Sequence, residues 1–139
     1  MTHIAITAGG TSENLDGIRK ITNVSTGSLG WHCLEAVFAH FEKAGSAEFK
    51  IHYVHTENAV IKPLSDSQKP HVHVISVTDA ESVYQAVDKL TKEISVDYFI
   101  HSMAISDFTF SYAVDIYRLS EEIEALQSKH GFTDDHVRN

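Results

Sequence analysis

A glycine-rich stretch, Thr7 to Gly30, separates a short apolar strand, His3 to Ile6, from an amphipathic helix. Few folds accommodate that order. Five of the seven glycines lie at or before Gly30. A loop rich in Gly, Ser, Thr and Asn offers many backbone N–H groups to an anion, and the helix that follows adds the positive end of its dipole. The pattern therefore points to an α/β protein that binds phosphate. Gly9, Gly10, Thr11, Arg19, Ser25, Thr26, Gly27 and Gly30 are the candidate phosphate- or substrate-binding residues. The stretch is not a P-loop, because no Gly-Lys-Ser/Thr follows, and it lacks the Gly-x-Gly-x-x-Gly spacing of a dinucleotide fingerprint.

The rest of the chain alternates strand and helix patterns. Leu34, Val37, Phe38 and Phe41 recur at helical spacing and predict a helix over roughly Leu29 to Ala44, with residues 8–28 as loop. Phe49 to Val54, Val72 to Val77 and Val96 to Ile100 read as strands. Thr78 to Glu81 reads as a capping box that starts a helix with Val83, Val87, Leu90 and Ile94 on its inner face. Ile116, Leu119, Ile123 and Leu126 mark a last helix, reaching about Lys129, with Glu121, Glu122 and Glu124 opposite its apolar ridge. That ridge suits docking on the sheet or on a second subunit. Residues 131–139 read as a frayed tail. The order predicts one domain over residues 1–139, an α/β, Rossmann-like three-layer fold with a mostly parallel central sheet.

Composition bounds function. A net charge of −8 argues against nucleic acid or an anionic membrane as the main partner. No apolar run reaches transmembrane length, and the N-terminus does not read as a signal peptide. The one cysteine, Cys33, forbids an internal disulfide framework and fits a reducing, cytoplasmic setting. The ten histidines have no zinc-site spacing. His71 and His73 alternate on a strand and should share a face, whereas His52 and His55 should point apart. No metal-binding residue is expected.

Three blocks carry a family resemblance: Thr7-Ala-Gly-Gly-Thr, Asp16-Gly-Ile-Arg19 and Ile21-Thr-Asn-Val-Ser-Thr-Gly-Ser-Leu-Gly30. A further block, Ile100-His-Ser-Met-Ala-Ile-Ser-Asp-Phe108, follows in the expected order. Together they resemble phosphopantothenoylcysteine synthetase, the phosphopantothenate–cysteine ligase of coenzyme A biosynthesis, over its N-terminal part only. The resemblance implies that Asn23 is catalytic, polarising an acyl-nucleotide carbonyl. The alternative for Asn23 is an Asx turn. It implies that Ser102, Met103, Ala104 and Asp107 lie beside a nucleotide, with helix capping as the alternative for Asp107. Arg19 either pairs with a phosphate or carboxylate, or forms a salt bridge to Asp16 or Glu13.

The implied reaction joins 4′-phosphopantothenate to cysteine, driven by CTP or ATP with Mg²⁺, in a homodimer. The family's later lysine-bearing segments have no counterpart here, so the chain resembles an incomplete enzyme. The alternatives are a non-catalytic module that binds phosphopantothenate or a nucleotide, and a regulatory paralogue that pairs with a full-length ligase.

Overall fold

The computed structural model describes residues 1–108, 111 and 114–130. The expected tail at 131–139, and most of the Phe110-Ser-Tyr-Ala segment, lie outside the described residues.

Four strands form a parallel sheet: β1 (Thr2–Gly10), β4 (Phe49–Thr56), β5 (Val72–Val77) and β6 (Tyr98–Ala104), in the order β5-β4-β1-β6. Helix α1 (Ser28–Lys43) joins β1 to β4, and α2 (Ala80–Glu93) joins β5 to β6. The two helices cover opposite faces. On one face Trp31, Leu34 and Phe38 of α1 pack on Ile4, Ile6, Ala8, Phe49, Ile51 and Tyr53. On the other, Val83 and Leu90 of α2 pack on Val54, Val77 and Met103. Each such buried aliphatic or aromatic side chain contributes about 1.5–3 kcal/mol through the apolar surface it removes from water. The result is an α/β, Rossmann-like three-layer fold with a mostly parallel central sheet.

The stretch predicted as loop is more ordered than its composition suggests. β1 continues through Ala8, Gly9 and Gly10, because both of its neighbours pair with it there: Ala8 aligns with His55, and Gly9 and Gly10 with Met103 and Ala104. Two three-residue strands, β2 (Ser12–Asn14) and β3 (Lys20–Thr22), then pair antiparallel as a hairpin.

The capping box is shifted by one residue from the predicted one. Asp79 is the N-cap of α2, and its side chain accepts from the Ser82 N–H at 2.8 Å, while Ser82 Oγ accepts from the Asp79 N–H at 3.0 Å. Helix α3 (Ile116–His130) carries the predicted apolar ridge, but Ile116, Leu119, Ile123 and Leu126 are all exposed. Among the described residues, no helix is long and apolar enough to cross a membrane.

Candidate functional site

The chain reverses its direction of travel across the sheet at β1. From there α1 leads to β4 on one side, and α2 later leads to β6 on the other. Folds of this kind bind ligands in the crevice at the C-terminal ends of the strands beside such a reversal. Here the corresponding strand ends, Gly9-Gly10-Thr11 of β1 and Ala104-Ile105-Ser106 of β6, run side by side and form a bonded seam.

Asn23 sits across it. Its amide Nδ2 donates to Ser106 Oγ at 3.2 Å and approaches Thr11 Oγ1 and the Ala104 carbonyl, each at 3.4 Å. Its backbone N–H donates to the Thr11 carbonyl at 3.0 Å. Thr11, wholly buried, accepts from the Ser106 N–H at 2.8 Å and donates its own N–H to the Ala104 carbonyl at 3.0 Å. Asn23, Thr11 and Ser106 thus tie the loop to the ends of β1 and β6.

The glycines are filled from within the chain. A Cβ on Gly10 would collide with the backbone carbonyl of Asn23. One on Gly27 would lie 2.7 Å from Ala59 Cβ, and one on Gly30 would lie 2.5 Å from Ala8 Cβ and 2.8 Å from Ser102 Oγ. Gly9 meets Thr56 and Ala59 in the same way. These glycines allow backbone to approach backbone, and α1 to lie close on β1 and β6.

The N-terminus of α1 is what remains open. Gly27 occupies its N-cap position with a left-handed φ of 67°, no side chain caps the helix, and its first turn holds no acidic residue. Thr26 Oγ1 reaches the Ser28 N–H only at 3.4 Å. Thr26 and Leu29 are exposed and Ser25 and Ser28 half-buried, while the Val60 N–H, donating to the Thr26 carbonyl at 2.8 Å, fixes the loop. The N-terminus of α2 differs. It holds the Asp79 carboxylate and also that of Glu13, which accepts from the Ala80 N–H at 2.9 Å. Asp79 is held below the usual carboxylate range, first by the hydrogen bond from the Ser82 N–H.

The other candidates lie in different settings. Arg19 pairs with Asp16 across the exposed tip of the β2–β3 hairpin, with Nε donating to Oδ2 at 2.7 Å. That hydrogen bond is the main cause holding the Asp16 carboxyl below its ordinary value. Ser102 Oγ donates to the Thr7 carbonyl at 2.6 Å, and Met103 is buried in the core under α2. Ala104 and Asp107 are exposed at and beyond the end of β6. The role of Ser106 was not expected from sequence. Its place between two family-like positions, Ala104 and Asp107, was the available signal.

Among the described residues, no group of three or more His, Cys, Asp and Glu side chains is arranged to hold a metal ion. His71 and His73 lie on opposite faces, because His71 precedes β5: its ring stacks on Phe49 at 4.3 Å, whereas His73 meets His52 edge-on.

Comparison with known proteins decides the family. Residues 1–122 match the model of the DNA/pantothenate metabolism flavoprotein C-terminal domain. The chain belongs to that family. It is 32% identical over 105 residues to the coenzyme A biosynthesis bifunctional protein CoaBC of Vibrio parahaemolyticus, covering 76% of this chain and 23% of that protein. The DNA/pantothenate metabolism flavoprotein of Streptococcus pneumoniae has a similar structure, with a TM-score of 0.58, 27% identity, and coverage of 78% of this chain and 42% of that one. The C-terminal domain of CoaBC matches with a TM-score of 0.57 and 25% identity, over 88% of this chain and 59% of that one. A Cab2 mutant in complex with phosphopantothenate-cysteine shares the fold at 15% identity and a TM-score of 0.56, over 84% of this chain and 51% of that one. The chain therefore spans about a quarter of the curated relative and about half of the solved ones.

These findings correct the functional expectation. The sequence pointed to the N-terminal part of a phosphopantothenate–cysteine ligase. The match is to a domain described as the C-terminal one of a flavoprotein, which withdraws the ligase assignment and the nucleotide-binding label with it. CTP or ATP with Mg²⁺ is withdrawn on the same ground. The expected partners, separate phosphopantothenate, cysteine and nucleoside triphosphate, rested on the ligase assignment and give way with it. The expected homodimer rested on the ligase resemblance alone and falls with it.

The family's description names a flavoprotein, and a flavin ring needs an apolar slot of a few hundred Å³ beside its phosphate site. The described residues do not form one at the glycine loop. The spaces beside Gly9, Gly10, Gly27 and Gly30 are filled by the chain itself, and the cleft between Ser12, Lys20, Thr56 and Asn58 holds about 10 Å³.

Proposed function

We propose that this family member is a ligand-binding α/β domain of coenzyme A biosynthesis that holds a phosphorylated pantothenoyl compound of the phosphopantothenoylcysteine class. One observation carries the reading. The first turn of α1 opens beside the strand reversal with its N–H groups uncapped, whereas the equivalent turn of α2 is closed by two carboxylates. Uncapped N–H groups and the helix dipole attract an anion without any basic side chain, which suits a protein of net charge −8.

In this reading Ser25, Thr26, Gly27, Ser28 and Gly30 hold the phosphate. Gly9, Gly10 and Thr11 support the loop from below, and Asn23 presents its amide toward the ligand's amide chain or keeps the seam in shape. Ser102, Ala104 and Asp107 border the same seam, whereas Arg19 and Met103 serve the hairpin and the core. The names of the relatives, CoaBC and the pantothenate metabolism flavoprotein, and the phosphopantothenate-cysteine of the Cab2 structure support the ligand class. The chain acts here as one domain in the cytoplasm, a setting supported by the lone, half-buried Cys33.

Calorimetric titration tests the proposal. 4′-Phosphopantothenoylcysteine should bind, and the same compound without its phosphate should bind at least about tenfold more weakly, since a charge-assisted hydrogen bond contributes about 1.5–3 kcal/mol. Equal affinity for the two compounds, or no binding of either, overturns it.

A further inference from the structure

The opposite, N-terminal edge of the sheet carries a row of histidines that the ligand site does not use. His3 on β1, His52 on β4 and His73 on β5 follow one another across three adjacent strands, with His52 aligned on His73 and beside His3's neighbour Lys50. His3 Nδ1 and His52 Nε2 are 3.1 Å apart, and His73 meets the His52 ring edge-on at 5.7 Å. His52 is 4% exposed, and its Nδ1 is buried with no hydrogen-bond partner.

This geometry favours a neutral His52 ring. In a histidine–histidine hydrogen bond one nitrogen donates and the other must offer a lone pair. An imidazolium at His52 would carry N–H at both nitrogens, leaving Nδ1–H buried and unpaired, and a buried unpaired donor is costly. We propose that His3, His52 and His73 form a proton-sensitive clasp across β1, β4 and β5, closed while His52 is neutral and opened when acid protonates it.

The charged groups around it are of both signs. Lys50 lies on the same strand, and Lys89 and Glu93 of α2 line a groove with His73. Asp97 accepts from the backbone N–H of His3 at 2.8 Å. Burial, then His3, His73 and Lys50, push the His52 pKa down from 6.5 to about 4. A base whose folded pKa is lowered stays neutral in the fold while the unfolded chain takes up a proton. Stability is therefore complete above pH 6.5, falls as the pH drops toward 4, and levels off below that.

The test is equilibrium unfolding of the full chain from pH 8 to pH 4, with His52→Gln beside the parent, and NMR titration of the histidine rings in the parent. The clasp predicts that His52 titrates near pH 4. It also predicts that the parent's folded-to-unfolded ratio falls up to about tenfold more per pH unit than the variant's within that window. Titration of His52 near its ordinary value, or equal slopes in parent and variant, overturns the proposal. The ring titration decides the matter on its own where the variant does not fold.

Discussion

Gly30 illustrates how single residues set this architecture. It lies in the first turn of a helix, where glycine costs about 1 kcal/mol relative to alanine. That cost is offset by proximity: with no Cβ, α1 can lie against Ala8 and Ser102. Ala8 lies on the inner strand β1, paired on both sides, and Ser102 lies on β6, where its side chain is held by the Thr7 carbonyl, so neither moves aside easily. Gly30→Ala should therefore destabilise the fold by about 1–3 kcal/mol, the usual cost of overpacking, despite alanine's better helix propensity. Urea denaturation checks this. The glycines were legible in the sequence as a group. That they are filled by Thr56, Ala59, Asn23 and Ala8 was not, because those neighbours come from distant or bent segments that only the folded sheet brings together.

At the scale of elements, the two helix N-termini divide their tasks. α2 closes its own, so Asp79→Ala should cost about 1 kcal/mol, as loss of an N-cap usually does. Thermal unfolding at neutral pH measures it. The same change should leave binding at α1 intact, which calorimetry of the variant checks. The main strands and helices could be read from apolar periodicity, and α1 and β5 begin and end within a residue of where it placed them. The failures have physical reasons. Gly9 and Gly10 are poor strand formers, yet β1 runs through them because β4 and β6 pair with its far end and β6 with both glycines. β2 and β3 are too short for alternation to be visible. The capping frame depended on which of two adjacent residues, Thr78 or Asp79, turned extended, and both have capping side chains.

For the whole molecule, the edge that β6 leaves unpaired among the described residues is the conspicuous feature. Tyr98 is 63% exposed and Phe99 46%, and apolar grooves of about 480 and 310 Å³ run along the two faces beside them. The first lies against Val37 and Phe41 of α1, the second against Tyr84 and Val87 of α2. A patch of this kind exceeds what isolated surface apolar residues explain. The folded chain should bind an apolar fluorescent dye at neutral pH, and Phe99→Ser, which borders both grooves, should reduce that fluorescence several-fold. An unchanged signal would place the dye elsewhere.

The proposed ligand site lies at the C-terminal ends of the strands, by the first turn of α1, and its location is the central claim. Amide NMR during titration with 4′-phosphopantothenoylcysteine tests it most directly. The largest shifts should fall on the N–H groups of Thr26, Ser28, Leu29 and Gly30, with smaller ones at Asn23 and Ser106, and none at the first turn of α2. Shifts concentrated along β6 and its grooves, with the first turn of α1 unmoved, would contradict the account.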